Sequence, residues 1–327
     1  MNPIGVNFLP MSIWLTTEGM KKIAKWLNFF SELNIEVLEI SPHKFNLIIG
    51  RKLARENVQK LLDLLSPYRF KYTIHIPDEV NILDTHLLKY SLEVIKSCME
   101  LGQELDAKIM VLHSGYIIPP EQELQRVMWA GPRNITYVEL SEEEKYRALN
   151  QLAQNLTKCC DLARDYGITI GLENGDLGLT HLCRRVSELL YVVVKAKRDN
   201  LGITLDIGHL YICSKALNFN FLKAMEEALP HTIHMHLSDN YGLYHPYFPE
   251  HNVAYGFGDL HLPLGWGDIP WVQVVNRVFQ RYRGALIIEL SDKYGEEGYR
   301  VSVQYLRKLI EEVEKKQKDL PSRCEEC

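Results

Sequence analysis

The chain has no run of about 18 apolar residues, so no membrane-spanning helix is expected. Its opening, MNPIGVNFLPMSIWL, lacks the basic start and small-residue cleavage site of an export signal, and a cytoplasmic protein is expected. Positive charge is not in excess: 37 Lys and Arg against 42 Asp and Glu give a formal net charge of −5. That balance gives no support for a nucleic-acid partner, although a basic cleft can sit on an acidic protein. The seven cysteines are odd in number and scattered through helical stretches, which does not suit a disulfide framework. Two of them, Cys324 and Cys327, close a polar tail, and a lone pair there is read as incidental. No dinucleotide-type glycine fingerprint follows the first strand pattern.

What the chain does have is alternation. Hydrophobic content of 46% and charged content of 24% are ordinary for a water-exposed globular protein. Short β-branched runs predict strands at 4–8, 35–40, 72–76, 109–113, 169–173, 202–206, 232–237 and 286–290. Amphipathic stretches between them predict helices at 17–33, 51–65, 86–105, 142–166, 182–195, 219–228, 271–280 and 298–315. Strands separated by helices pair in parallel, and eight such units suit a closed (β/α)8 TIM barrel better than an open doubly wound sheet. One barrel domain over residues 1–315 and a polar tail over 316–327 are therefore expected. Two connections, 117–140 and 241–258, are longer than usual. Both follow a strand, on the face where a barrel carries its specificity loops.

Ionisable residues gather at the strand ends. His75, His113, Glu173, Asp206, His209, His236, Asp259, His261 and Glu289 stand at or just after the ends of six predicted strands or in the turn Asp259-Leu260-His261. In a barrel those ends converge on one face, so ligands far apart in sequence can meet. Histidine and carboxylate suit divalent transition metals. Glu173 and Glu289 each end an apolar strand, and a pair of carboxylates at a metal can both ligate it and exchange protons with a substrate. Asp206 and His209 taken alone also read as a helix N-cap with a nearby histidine. His234 and His236 share one strand face; His236, nearer the C-terminal end, is the better ligand, leaving His234 to orient ligands or pack the barrel. Asp239 is a further candidate for orienting or contacting substrate.

With these motifs the chain resembles the xylose-isomerase-like TIM barrels, a superfamily of sugar isomerases, epimerases and endonuclease IV-type proteins. The resemblance runs from about Gly5 to Ile310. It rests on Glu173-Asn174, the DxGH of Asp206 to His209, the HLSDN of His236 to Asn240, Glu289, and the segment Gly265-x-Gly267-Asp268-Ile269. It implies that Glu173, Asp206, His236 and Glu289 hold one divalent metal, Mn2+ or Zn2+ with Co2+ or Mg2+ as further options, and that His209 contacts substrate. The three-metal members add ligands that match His75, His113, His209, Asp259 and His261, so one to three ions are implied.

The departures bear on substrate. Phe8-Leu9-Pro10-Met11-Ser12 stands where the endonuclease IV group carries a serine-histidine-valine-type segment. Asp78 stands where that group uses an aromatic residue against DNA, and Ile207-Gly208 where it has Thr-Cys. The resemblance therefore implies an isomerase or epimerase of a small sugar-like molecule, with Glu173 and Glu289 passing a proton at an enediolate. A metal-dependent phosphoester hydrolase with a trinuclear site is the alternative. Trp129 and Arg133 are expected to cover the site or contact substrate, with Arg126 as another anion-binding candidate. A homo-oligomer is left open.

Overall fold

The computed structural model describes residues 2–8, 15–117, 140–176, 181–244 and 253–318. Eight strands rich in β-branched and aliphatic residues close into one barrel. They are β1 (Ile4–Phe8), β2 (Val37–Ile40), β3 (Lys71–His75) and β4 (Ile109–His113), then β5 (Thr169–Glu173), β6 (Leu201–Asp206), β7 (Thr232–Leu237) and β8 (Leu286–Ile288). Every neighbouring pair is parallel, and β8 returns to β1, so the open sheet is excluded. Strand β8 stops at Ile288, which leaves Glu289 just beyond its end.

Helices α1 (Thr17–Glu32), α2 (Arg55–Leu65), α3 (Leu88–Glu104), α4 (Glu142–Arg164), α5 (Val186–Ala196), α6 (Ile207–Ala216), α7 (Phe221–Ala228), α8 (Trp271–Arg281) and α9 (Gly295–Lys318) surround the strands. Three of the differences from expectation stand out. Helix α2 starts at Arg55 because Ile48–Ile49 and Lys52–Leu53 form a small antiparallel hairpin first. Helix α6 is not foreshadowed: Ile207 to Ser214 are all buried, so it lacks the polar stripe that marks an amphipathic helix. Helix α9 runs from Gly295 to Lys318, longer at both ends than the expected 298–315.

Aromatic packing sets the position of the barrel's first and last strands. Phe8 meets Phe30 of α1 edge-on at 5.7 Å, and Phe30 meets Tyr299 of α9 at 5.2 Å. Burying such a side chain is worth roughly 2–3 kcal/mol. The Tyr299 hydroxyl then donates to Asn7 O at 3.2 Å, and Asn7 Oδ1 accepts from Leu290 N at 3.2 Å. This chain of contacts fixes the backbone beside Glu289.

Candidate metal centre

Four residues form the inner group. Glu173 ends β5, Asp206 ends β6, His236 lies on β7, and Glu289 follows β8. Each offers one ligand atom, and those atoms all lie within 4.8 Å of one another. His236 Nδ1 is 3.1 Å from Glu173 Oε1 and 3.0 Å from Glu289 Oε2. Asp206 does two jobs. Its Oδ1 accepts from His209 N at 2.6 Å and caps α6, while its buried Oδ2 has no hydrogen-bond partner among the described residues. The helix cap is thus made by Oδ1, which leaves Oδ2 to the inner group. Asn174 clamps Asp206 from both sides, accepting from its N at 2.8 Å and donating to its O at 3.1 Å. The intervening glycine is required by space: a Cβ on Gly208 would lie 2.6 Å from Ser238 Oγ.

An outer ring surrounds that group. Glu173 joins the two, because its Oε2 lies 3.1 Å from His113 Nε2 and 3.6 Å from His75 Nε2. Across the mouth, Asp259 Oδ2 lies 3.2 Å from His209 Nε2 and 2.7 Å from His261 Nε2. His75 gives Nδ1 to Ile76 O at 2.8 Å, His209 to Asn174 O at 3.2 Å, and His261 to Glu289 O at 3.3 Å. A carbonyl only accepts, so in each case Nδ1 carries a proton and Nε2 faces the site. His261 has φ 44°, a left-handed conformation uncommon outside glycine, which turns its ring toward Asp259.

Electrostatics follow from this packing. Burial pushes Asp206 up to about 6, with Asp259, Glu173 and Glu289 adding to the effect. Burial also works against ionised Glu289, but His236 outweighs it and holds the carboxyl at about 2. Burial disfavours charged His75 and His261, yet Glu173 lifts the first to about 10 and Asp259 the second to about 10. His236 and His209 move the same way against burial, the first through Glu39, Glu289 and Glu173 and the second through Asp206 and Asp259. The acids and imidazoles therefore satisfy one another by sharing protons.

The donor set fits a divalent cation. Three carboxylates and one imidazole converge, and Glu173 Oε2, Asp206 Oδ2 and Asp259 Oδ1 are buried oxygens with no hydrogen-bond partner among the described residues. Oxygen and nitrogen ligands are what Mn2+, Zn2+, Co2+ and Mg2+ accept in different proportions. Two adjoining hollows of about 290 and 210 Å3 open over the cluster and share His75, Asp78, Asp259, His261 and Glu289 as walls.

All nine strand-end residues are thus brought to one mouth. Asp239 is not: its oxygens accept from Asn240 N, Ile269 N, Gly265 N and Trp271 Nε1, at 2.9, 3.3, 2.9 and 2.8 Å. It ties the glycine turn to β7, and Gly267 sits so close that a Cβ would lie 2.4 Å from Asp239 Oδ1. With its carboxylate so engaged, Asp239 holds the glycine turn that follows Asp259 and His261. Trp129, Arg133, Arg126, the Leu9–Ser12 segment and the Cys324–Cys327 pair lie outside the described residues. Two residues escape the reading of strand ends. Glu39 lies within β2, fully buried, 2.8 Å from His234 Nε2 and 3.0 Å from His236 Nε2. Thr73 on β3 donates to Glu39 Oε2 at 3.0 Å.

Comparison with known proteins agrees with this architecture. The chain is 28% identical over 321 residues to an uncharacterized protein of Methanocaldococcus jannaschii, covering 95% of this chain and 90% of that one. It is 22% identical over 300 residues to fructoselysine 3-epimerase of Escherichia coli, covering 87% and 92%. A crystal structure of a D-tagatose 3-epimerase-like protein superposes with a TM-score of 0.71 at 26% identity, over 97% of this chain and 100% of that chain. No helix among the described residues is long and apolar enough to cross a membrane. The family profile described as xylose isomerase-like TIM barrel matches residues 27–309, and the chain belongs to that family.

Proposed function

We propose that the protein is a divalent-metal-dependent isomerase or epimerase of a small sugar-like molecule. The observation that carries this reading is the pair Glu173 and Glu289, both held beside His236 Nδ1, at 3.1 and 3.0 Å. Two carboxylates facing one centre can take a proton from the carbon beside a carbonyl and return one to its other face or to its neighbour. A cation held by Glu173, Asp206, His236 and Glu289 would supply positive charge against the developing enediolate. His209 stands beside that centre, its Nε2 toward the mouth, where it can hold a substrate oxygen. The hollows over the cluster suit a small molecule. Similarity to a fructoselysine 3-epimerase and to a D-tagatose 3-epimerase-like protein supports a sugar-type substrate. Further ions would take His75, His113 and Glu173 on one side and His209, Asp259 and His261 on the other, since each trio lies within 4.8 Å.

The test is incubation of metal-loaded protein with a panel of keto- and aldo-sugars in D2O. Deuterium is expected at the carbon beside the carbonyl, and Glu173→Gln should abolish its uptake. Cleavage of duplex DNA at an abasic site, lost on chelation and in Glu289→Gln, with no exchange into any sugar, would replace this reading by the hydrolase.

A further inference from the structure

The histidines of this centre are not all held in the same way. His75, His209 and His261 each place Nδ1 on a backbone carbonyl and present Nε2 to the site. His236 is reversed: Nδ1 faces Glu173 and Glu289, and Nε2 points down the barrel to Glu39. Its orientation therefore depends on a side chain. Glu39 is itself fixed, since its Oε2 accepts from Thr73 Oγ1 at 3.0 Å and pairs with His234 Nε2 at 2.8 Å. That leaves Oε1. Glu39 Oε1 and His236 Nε2 are 3.0 Å apart and fully buried, and neither has a hydrogen-bond partner among the described residues. Each is the group the other needs.

From this geometry we propose that Glu39 is the positioning residue of the inner metal site: it holds His236 with Nε2 protonated and Nδ1 free to face Glu173, Asp206 and Glu289. The proposal rests on those four residues holding a cation. A packing role alone does not explain a carboxylate at this depth, because removing a carboxylate from water is costly and an apolar side chain of similar size would fill the space more cheaply. A second ion on Glu39, His234 and His236 would need His236 to bridge two cations through both ring nitrogens, because its Nδ1 already faces Glu173 and Glu289. Neutral imidazole has only one nitrogen free to ligate, so the carboxylate reads as the acceptor for the other. A carboxylate behind a ligating histidine fixes its tautomer and ring angle, and losing such a partner typically weakens metal affinity about 10–100-fold.

The full chain, stripped of metal and titrated with Co2+ against a competing chelator, tests this through affinity and the visible Co2+ absorption bands. Thermal unfolding of each stripped protein reports the fold. Glu39→Gln is expected to fold, to bind its tightest Co2+ about 10–100-fold more weakly than wild type, and to show shifted bands at full loading. Thr73→Val, which removes the hydroxyl that steadies the Glu39 carboxylate, should shift affinity in the same direction by less than about 10-fold. Wild-type affinity and bands in Glu39→Gln would overturn the positioning role and leave the inner site standing. Loss of one whole ion from the stoichiometry, with the rest unchanged, would make Glu39 a ligand and overturn it too. Should Glu39→Gln fail to fold, unchanged affinity and bands in Thr73→Val overturn the proposal. Wild type that binds no Co2+ would remove the inner site itself.

Discussion

The inner group and the outer ring share a mouth but differ in how they are built. The inner side chains of Glu173, Asp206 and His236 are at most 1% exposed and Glu289 is 17% exposed, whereas the outer ring runs from 6% at His75 and Asp259 to 24% at His261 and 36% at His113. Inner ligands sit on barrel strands or within one residue of them, while Asp259 and His261 hang on a turn that Asp239 ties back to β7. Rigid, dry ligands hold a cation with less loss of order on binding, and a low dielectric strengthens each contact. On the proposed reading the inner group is therefore expected to hold a cation more tightly than the outer ring.

The comparison breaks most visibly at Glu289. Glu289→Gln removes an inner carboxylate and should weaken the tightest ion by at least about 100-fold, because a change one layer further out already costs 10–100-fold. Competition against a chelator of known affinity measures it. His113→Ala combined with His261→Ala should instead lower the number of ions bound while the tightest one keeps its affinity within about 10-fold. If the tight ion left with those histidines, the inner and outer groups would be a single site.

Proton sharing gives a pH test with a defined sign. His75 and His261 are held at about 10, above the ordinary 6.5. The stabilisation they give to the stripped protein is fully present below about pH 6.5 and is lost as pH rises through about 10. Glu289, held at about 2 against an ordinary 4.5, gives stabilisation that is present above about pH 4.5 and lost as pH falls through about 2. Asp206, raised to about 6, favours the protonated form and adds to the decline above pH 4. The stripped protein should therefore melt highest near pH 4.5 and lose melting temperature steadily toward pH 10. Saturating cation should offset that loss, since ligand binding requires deprotonated imidazole, and an ion at about 1,000 times its dissociation constant adds roughly 4 kcal/mol. A melting temperature that rises from pH 6.5 to 10 in stripped protein would contradict the proton-sharing account.

The smallest expected effect lies outside both groups. Asp239→Asn leaves buried backbone donors with a weaker acceptor and should cost about 1–3 kcal/mol, read by denaturant unfolding. Affinity for the tightest ion should not change. A large fall in that affinity would show that the turn carrying Asp259 and His261 is part of the inner site.

Much of this was legible in the sequence because a strand end is a marked place. Glu173, Asp206 and His236 close apolar runs whose period and length identify strands, and barrel closure brings such ends together. Glu39 carries no such mark. It is one acid inside the four-residue strand VLEI, and the histidine it pairs with in β7, His234, is 195 residues away. Its role appears only when β7 is brought across the barrel from β2. The orientation of His75, His209 and His261 was equally hidden, since their partners are backbone carbonyls that any sequence supplies. Asp239 stands next to a strand end and so looked like a site residue. Its four donors come from the following turn and from Trp271, none of which spacing reveals. Helix α6 was missed for a related reason, its burial on every side.

The most direct measurement is elemental analysis of wild-type protein after exhaustive dialysis and after re-addition of Mn2+ or Zn2+, with melting temperature followed in parallel. At least one divalent ion per chain should be retained or taken up, with a rise in melting temperature that Glu173→Gln does not show. A wild-type chain that takes up no ion and melts at the same temperature with and without metal would contradict the inner site.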